Sequence, residues 1–152
     1  MIYADTFRAL GDKITNLAYT ALRQRNMRWV HTSDAGEAAT DLASLRRMQE
    51  LGVLVIWSGS CDNSIYGTPH RNMLARAWHD CVHLELGMDF NYHDECAVAS
   101  HQTYSTLGLT PLERGAVWAD TFGMLSYHEK NGFFPEHQAD FVRGYMSNCY
   151  RL

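Results

Sequence analysis

Two Thr-Pro pairs constrain this chain more than any other feature of its sequence. Thr68-Pro69 and Thr110-Pro111 each join a side chain that accepts hydrogen bonds from the free N–H groups of a helix start to a proline, whose missing N–H costs nothing at the first helical position. Between them, Gly87 and Gly108 stand where helices stop. The interval therefore holds two helices, one from about Thr68 to Leu86 and one carrying His93, Glu95, Ala97, Val98, His101 and Gln102 up to Leu107. The turn Asp89-Phe90-Asn91-Tyr92 joins them. So short a connection makes them antiparallel, and a helical hairpin over 68–107 is the expected frame.

The flanking segments follow from the same signals. Phe7, Leu10, Ile14, Leu17, Ala18, Ala21 and Leu22 recur at helical spacing and predict a first amphipathic helix over 3–26, despite Gly11. Arg23, Arg25 and Arg28 near its end suit the helix dipole. Trp29 to Thr32 reads as a short strand. Asp34-Ala35-Gly36-Glu37 reads as a capping box that opens a second helix through about Leu51, stopped by Gly52. Val53 to Trp57 is an unbroken apolar, mostly β-branched run, expected to be a buried strand pairing with 29–32. The polar stretch from Ser58 to Gly67 is turn-rich and lacks the spacing of a phosphate-binding loop. Thr110-Pro111-Leu112-Glu113 opens a helix through about Lys130 with a full capping box, and Pro135 is expected to open the last one. The predicted architecture is mainly α: a single-domain bundle of about six helices with at most a small two-stranded β element.

Bulk properties narrow the function classes. A chain of 152 residues suits one core, and 46% apolar with 20% charged residues is ordinary for a globular protein. A formal charge of -4 with mixed signs offers no basic stripe for nucleic acid. The longest apolar run falls far short of a bilayer, and the N-terminus does not read as a signal peptide, so a cytoplasmic protein without membrane attachment is expected. Cys61, Cys81, Cys96 and Cys149 are widely spaced with no Cys-x-x-Cys, so reduced thiols are expected.

The chemistry concentrates in the hairpin. His79-Asp80-x-x-His83 puts two imidazoles one turn apart on one helix face, the spacing of a two-histidine metal site. Glu95, near the start of the second arm, can reach both histidines near the end of the first. His79, His83 and Glu95 are the expected metal ligands. Asp80 and Asp120 are the candidate proton acceptors, with Asn72, His101 and Gln102 as supporting polar groups. Asp120 lies in an apolar helix between Trp118 and Phe122, where a carboxylate needs a metal, a histidine or an arginine to offset its burial. Histidine ligands suit zinc, with manganese or iron as alternatives.

The succession Gly59…Ile65-Tyr66-Gly67…Asn72…Arg76-Ala77-Trp78-His79-Asp80-x-x-His83…Gly87…Phe90…Glu95…Gln102 resembles a family of small bacteriophage and mobile-element proteins. Trp118-Ala119-Asp120-Thr121-x-Gly123 and Phe134-Pro135-x-x-Gln138-x-x-Phe141-Val142 extend the resemblance over 53–142. It implies a source and a site but no reaction. The histidine helix is also similar to that of zincin metallopeptidases, with Asp80 where they carry a glutamate. A further similarity is to HD-type phosphohydrolases, in which His31 and Asp120 would fill the flanking places. The expectation is a metal-dependent hydrolase acting on a peptide, amide or phosphoester. The alternative is a phage accessory protein that binds and inhibits a host factor, with the histidine and glutamate cluster as a structural clasp.

Overall fold

The computed structural model describes residues 3–149, and the signals around the hairpin act as read. Thr68 accepts from the Arg71 N–H to cap α3 (Pro69–Leu86), which ends at Gly87 with φ 65°, a left-handed conformation that favours glycine. Asn91 caps α4 (Tyr92–Ser100), which runs back beside α3 and continues through a π-helical turn, His101–Ser105. Thr110 and Glu113 form the reciprocal capping box of α5 (Pro111–Trp118). A second π-helical turn, Ala119–Gly123, carries α5 without a break into α6 (Met124–Asn131). With α5 and α6 taken as one rod the described residues form six helices, and the mainly α class with one small sheet matches the expectation.

α1 (Ala4–Gln24) buries Leu10, Ile14, Ala18 and Leu22 along α3, as its periodicity requires. Gly11 belongs to this contact, because a Cβ there would lie 2.7 Å from the Tyr66 carbonyl oxygen. β1 (Arg28–Thr32) and β2 (Val53–Trp57) pair in parallel, from Arg28 opposite Val53 to Thr32 opposite Trp57. A parallel pair needs a crossover, and α2 (Leu42–Leu51) supplies it.

Two boundaries differ from the expectation. The second helix does not open at Asp34: that side chain accepts from Gly36 N–H, two residues on, and Glu37 turns to the Thr32 hydroxyl, so only a 3-10 turn forms over Ala35–Glu37. The capping box that starts α2 is Asp41 with Ser44. Pro135 does not open the last helix either. α7 (Gln138–Cys149) begins three residues later, where the Ala139 N–H is taken by the Asn63 carbonyl. Cys61, Cys81 and Cys96 are free thiols, while the Cys149 side chain lies outside the described residues.

α3 is shared by two apolar clusters. On one side Leu74 and Val82 pack with Leu10 and Ile14 of α1, Val98 of α4 and Val117 of α5. On the other, Ala77 and Cys81 pack with Leu22, Leu45, Leu54 and Ile56. Polar groups on so central a helix need partners of their own or a cavity.

Candidate metal centre

The polar residues of α3 follow one another at helical turns, Asn72, Arg76, His79 with Asp80, and His83. The first four face a cleft of about 720 Å³ whose other walls are β2, the two π turns, the 134–138 segment and the 3-10 turn after β1. His79 and His83 meet Glu95 at the α4 end of this cleft. The His79 and His83 Nε2 atoms are 3.0 Å apart, and Glu95 Oε2 is 3.1 Å from the first and 3.3 Å from the second. One ligand atom from each of the three residues falls within 4.8 Å of the others, so the expected trio does converge.

The far side of each ring decides what these atoms offer. His83 Nδ1 lies 3.0 Å from the Met88 carbonyl, which can only accept, so Nδ1 carries the hydrogen and Nε2 keeps its lone pair. His79 Nδ1 is likewise 2.8 Å from Gln102 Oε1. Two lone pairs and a carboxylate oxygen therefore point at one another, an arrangement that requires a cation or a proton between them. Anchoring the outer nitrogen of a histidine on an oxygen is the usual support of a metal-bound ring. The residues present fit a divalent ion.

Without an ion, a proton fills that role. Burial works to lower the His79 pKa, but the hydrogen bond and charge of Glu95, helped by Asp80 and Gln102, outweigh it and hold the imidazole at about 9. Burial would raise Glu95, yet its bonds to His79 and His83 bring it down to about 2. His83 is fully buried, flanked by His79 and by the Phe90 ring 4.6 Å away.

Three further carboxyl groups line the cleft, Asp80, Asp120 and Glu136, and burial shifts the first two. Asp80, next in the chain to His79, is lifted to about 6, mainly by burial, against the pull of His79 and His83. Asp120 rises to about 6 for the same leading reason. Its hydrogen-bond partner is the Tyr66 hydroxyl, 2.8 Å from Oδ2, while the arginine and histidine expected beside it, Arg76 and His79, act on it through charge alone. Tyr66 is held in the core below the loop that precedes α3, and nothing in its sequence position pointed to Asp120.

The supporting residues divide. Gln102 is buried and bonded to His79. Asn72 lines the cleft but makes no hydrogen bond to the ligands. His101 is not in the site: its ring turns toward Glu85, 3.8 Å away at the surface, while the Met88 backbone carbonyl does the work assigned to a side chain. His31 is exposed on β1 and absent from the cleft wall, so the HD-type arrangement is not assembled. Arg76, part of the sequence pattern but given no role there, crosses from α3 to the end of β2, donating to the Trp57 carbonyl at 2.7 Å and the Ser60 carbonyl at 3.3 Å.

Comparison with known proteins gives no match to a family model, to a curated protein or to a solved structure. Geometry alone therefore carries the functional reading. Among the described residues no helix is long and apolar enough to cross a membrane.

Proposed function

We propose that the protein is a metal-dependent hydrolase in which His79, His83 and Glu95 hold one divalent ion. The observation that supports this reading is the facing of two imidazole lone pairs and a carboxylate, each ring anchored from behind by an oxygen. Two nitrogens and one oxygen suit zinc best, with manganese and iron as alternatives. A three-residue set would leave the ion a position for water, whose acidity it would raise.

The chain's own residues supply the rest. Gln102 and the Met88 carbonyl fix the ring orientations. Asp80, beside His79 on the cleft wall, takes a proton at its carboxylate, and Asp120 faces the same space with its Tyr66 partner. The phage-type origin suggested by the pattern over 53–142 belongs to the same proposal.

Elemental analysis of protein purified without chelators, followed by titration with zinc and manganese, tests it. One ion per chain is expected in the wild type, with His79→Ala and His83→Ala losing at least a hundredfold in affinity. A wild type that takes up neither metal removes the reading.

A further inference from the structure

The cleft has polar lining that the three ligands do not use. Asn72 is 5% exposed, lines the cleft, and its Nδ2 has no hydrogen-bond partner among the described residues. The neighbour it faces is the Cys61 sulfur, which donates its own hydrogen to the Gly59 carbonyl and is only a weak acceptor for the amide. Asp120 presents a complementary group, with Oδ2 occupied by the Tyr66 hydroxyl and no hydrogen bond to Oδ1 among the described residues. A buried donor without a partner and a carboxylate oxygen without a donor, in one cavity, describe a ligand that accepts at one atom and donates at another.

The charge of the cleft selects the ligand further. Asp80, Glu95, Asp120 and Glu136 line it, while Arg76 is its one lysine or arginine, and Arg76 is already tied to two carbonyls and laid 5.5 Å over the Trp57 ring. A phosphoester would bring more negative charge to this wall, whereas a neutral amide brings none. Asn72 lies seven residues before His79, roughly 10 Å along the helix. That span matches about three residues of extended peptide. Val55, Trp57, Trp78, Met124 and Leu125 supply apolar wall for a side chain between the ends.

We infer that Asn72 and Asp120, the latter positioned by Tyr66, form a binding site for a peptide-type amide, which makes short peptides rather than phosphoesters the substrate class. Asn72 donates to a ligand carbonyl and Asp120 accepts from a ligand N–H. Which bond is cut rests on the hydrolase reading, but binding at these two residues does not.

Ligand-observed NMR in excess EDTA separates the two. The probes are N-acetyl-Phe-Ala-amide and phenyl phosphate, offered to the wild type and to Asp120→Asn, Asn72→Leu and Tyr66→Phe, with thermal unfolding as the check on folding. The peptide amide is expected to bind the wild type and phenyl phosphate is not. Asp120→Asn and Asn72→Leu should each weaken the peptide about tenfold, and Tyr66→Phe, which removes only a hydroxyl, should weaken it less. The inference is overturned if the peptide amide does not bind, if phenyl phosphate binds as tightly, or if all three folded variants bind the peptide like the wild type. Failure of metal uptake with peptide binding intact would remove the hydrolase reading and leave this site standing.

Discussion

Replacing Asp120 by asparagine should make the protein more stable at neutral and alkaline pH. Burial lifts the Asp120 carboxyl from 3.8 to about 6, although the Tyr66 hydrogen bond, Arg76 and His79 pull the other way. A folded-state pKa above the unfolded one means that the native protein holds the proton more tightly. Folding therefore loses free energy as pH rises from about 4 to about 6 and does not regain it above. At roughly 1.4 kcal/mol for each pH unit, the ceiling of that cost is about 3 kcal/mol. Asp120 is only half-buried, and water in the cleft screens it, so a cost of about 1–2 kcal/mol at pH 8 is the working figure.

Asparagine keeps the shape and still accepts from the Tyr66 hydroxyl, but it carries no charge to bury. For a chain of this length each kcal/mol moves Tm by about 2–4 °C, so Asp120→Asn should melt about 2–8 °C above the wild type at pH 8 in EDTA. At pH 4 the wild-type carboxyl is protonated in the fold and the difference should nearly vanish. Urea unfolding at the two pH values gives the free energies directly. A variant less stable than the wild type at pH 8, or one equally favoured at pH 4, would refute the assignment of a costly buried charge.

Two substitutions test how the frame holds the site. Gly11→Ala would gain about 1 kcal/mol in an open helix. Here its Cβ meets the Tyr66 carbonyl at 2.7 Å, so a net loss of about 1–2 kcal/mol by urea unfolding is expected, and weaker peptide binding should accompany it because Tyr66 positions Asp120. Glu113→Ala removes a buried carboxylate that accepts from the Thr110 N–H and from Lys13 Nζ, both at 2.7 Å; a loss of about 2–4 kcal/mol should appear in the same assay, with Glu113→Gln intermediate.

Local chemistry explains which parts of the molecule were readable. Thr68-Pro69, Gly87 and Thr110-Pro111 act through bonds within one helical turn, so their consequences follow from neighbours in the chain. The hairpin they define brings Glu95 to His79 and His83, and that much of the centre was visible in the spacing. Asp34 carried a comparable signal, but Glu37 had a better partner in Thr32, a residue on the strand side of the turn, and the box never closed. His101 and Gln102 are adjacent and equally polar, and only the helix path decides that Gln102 reaches His79 while His101 turns to Glu85. The Tyr66 bond to Asp120 spans 54 residues and depends on α1 letting the Tyr66 backbone approach at Gly11. No local pattern encodes such a contact.

The two π turns tie these points together. Gln102 and Asp120, which reach the cleft from outside α3, both lie on them, within His101–Ser105 and Ala119–Gly123. In an unbroken α-helix Asp120 would continue the stripe of Glu113, Ala116 and Val117, the buried face of α5. A π turn adds a residue to one helical turn and gives up the tighter i→i−4 bonds there, a local cost that persists where the side chain it delivers has a use. The unpaired Asn72 amide, a lifted carboxyl and two distorted helix turns around one cavity are costs that a purely structural role for the cluster would not require. They are the costs expected of a wall shaped for something that binds there.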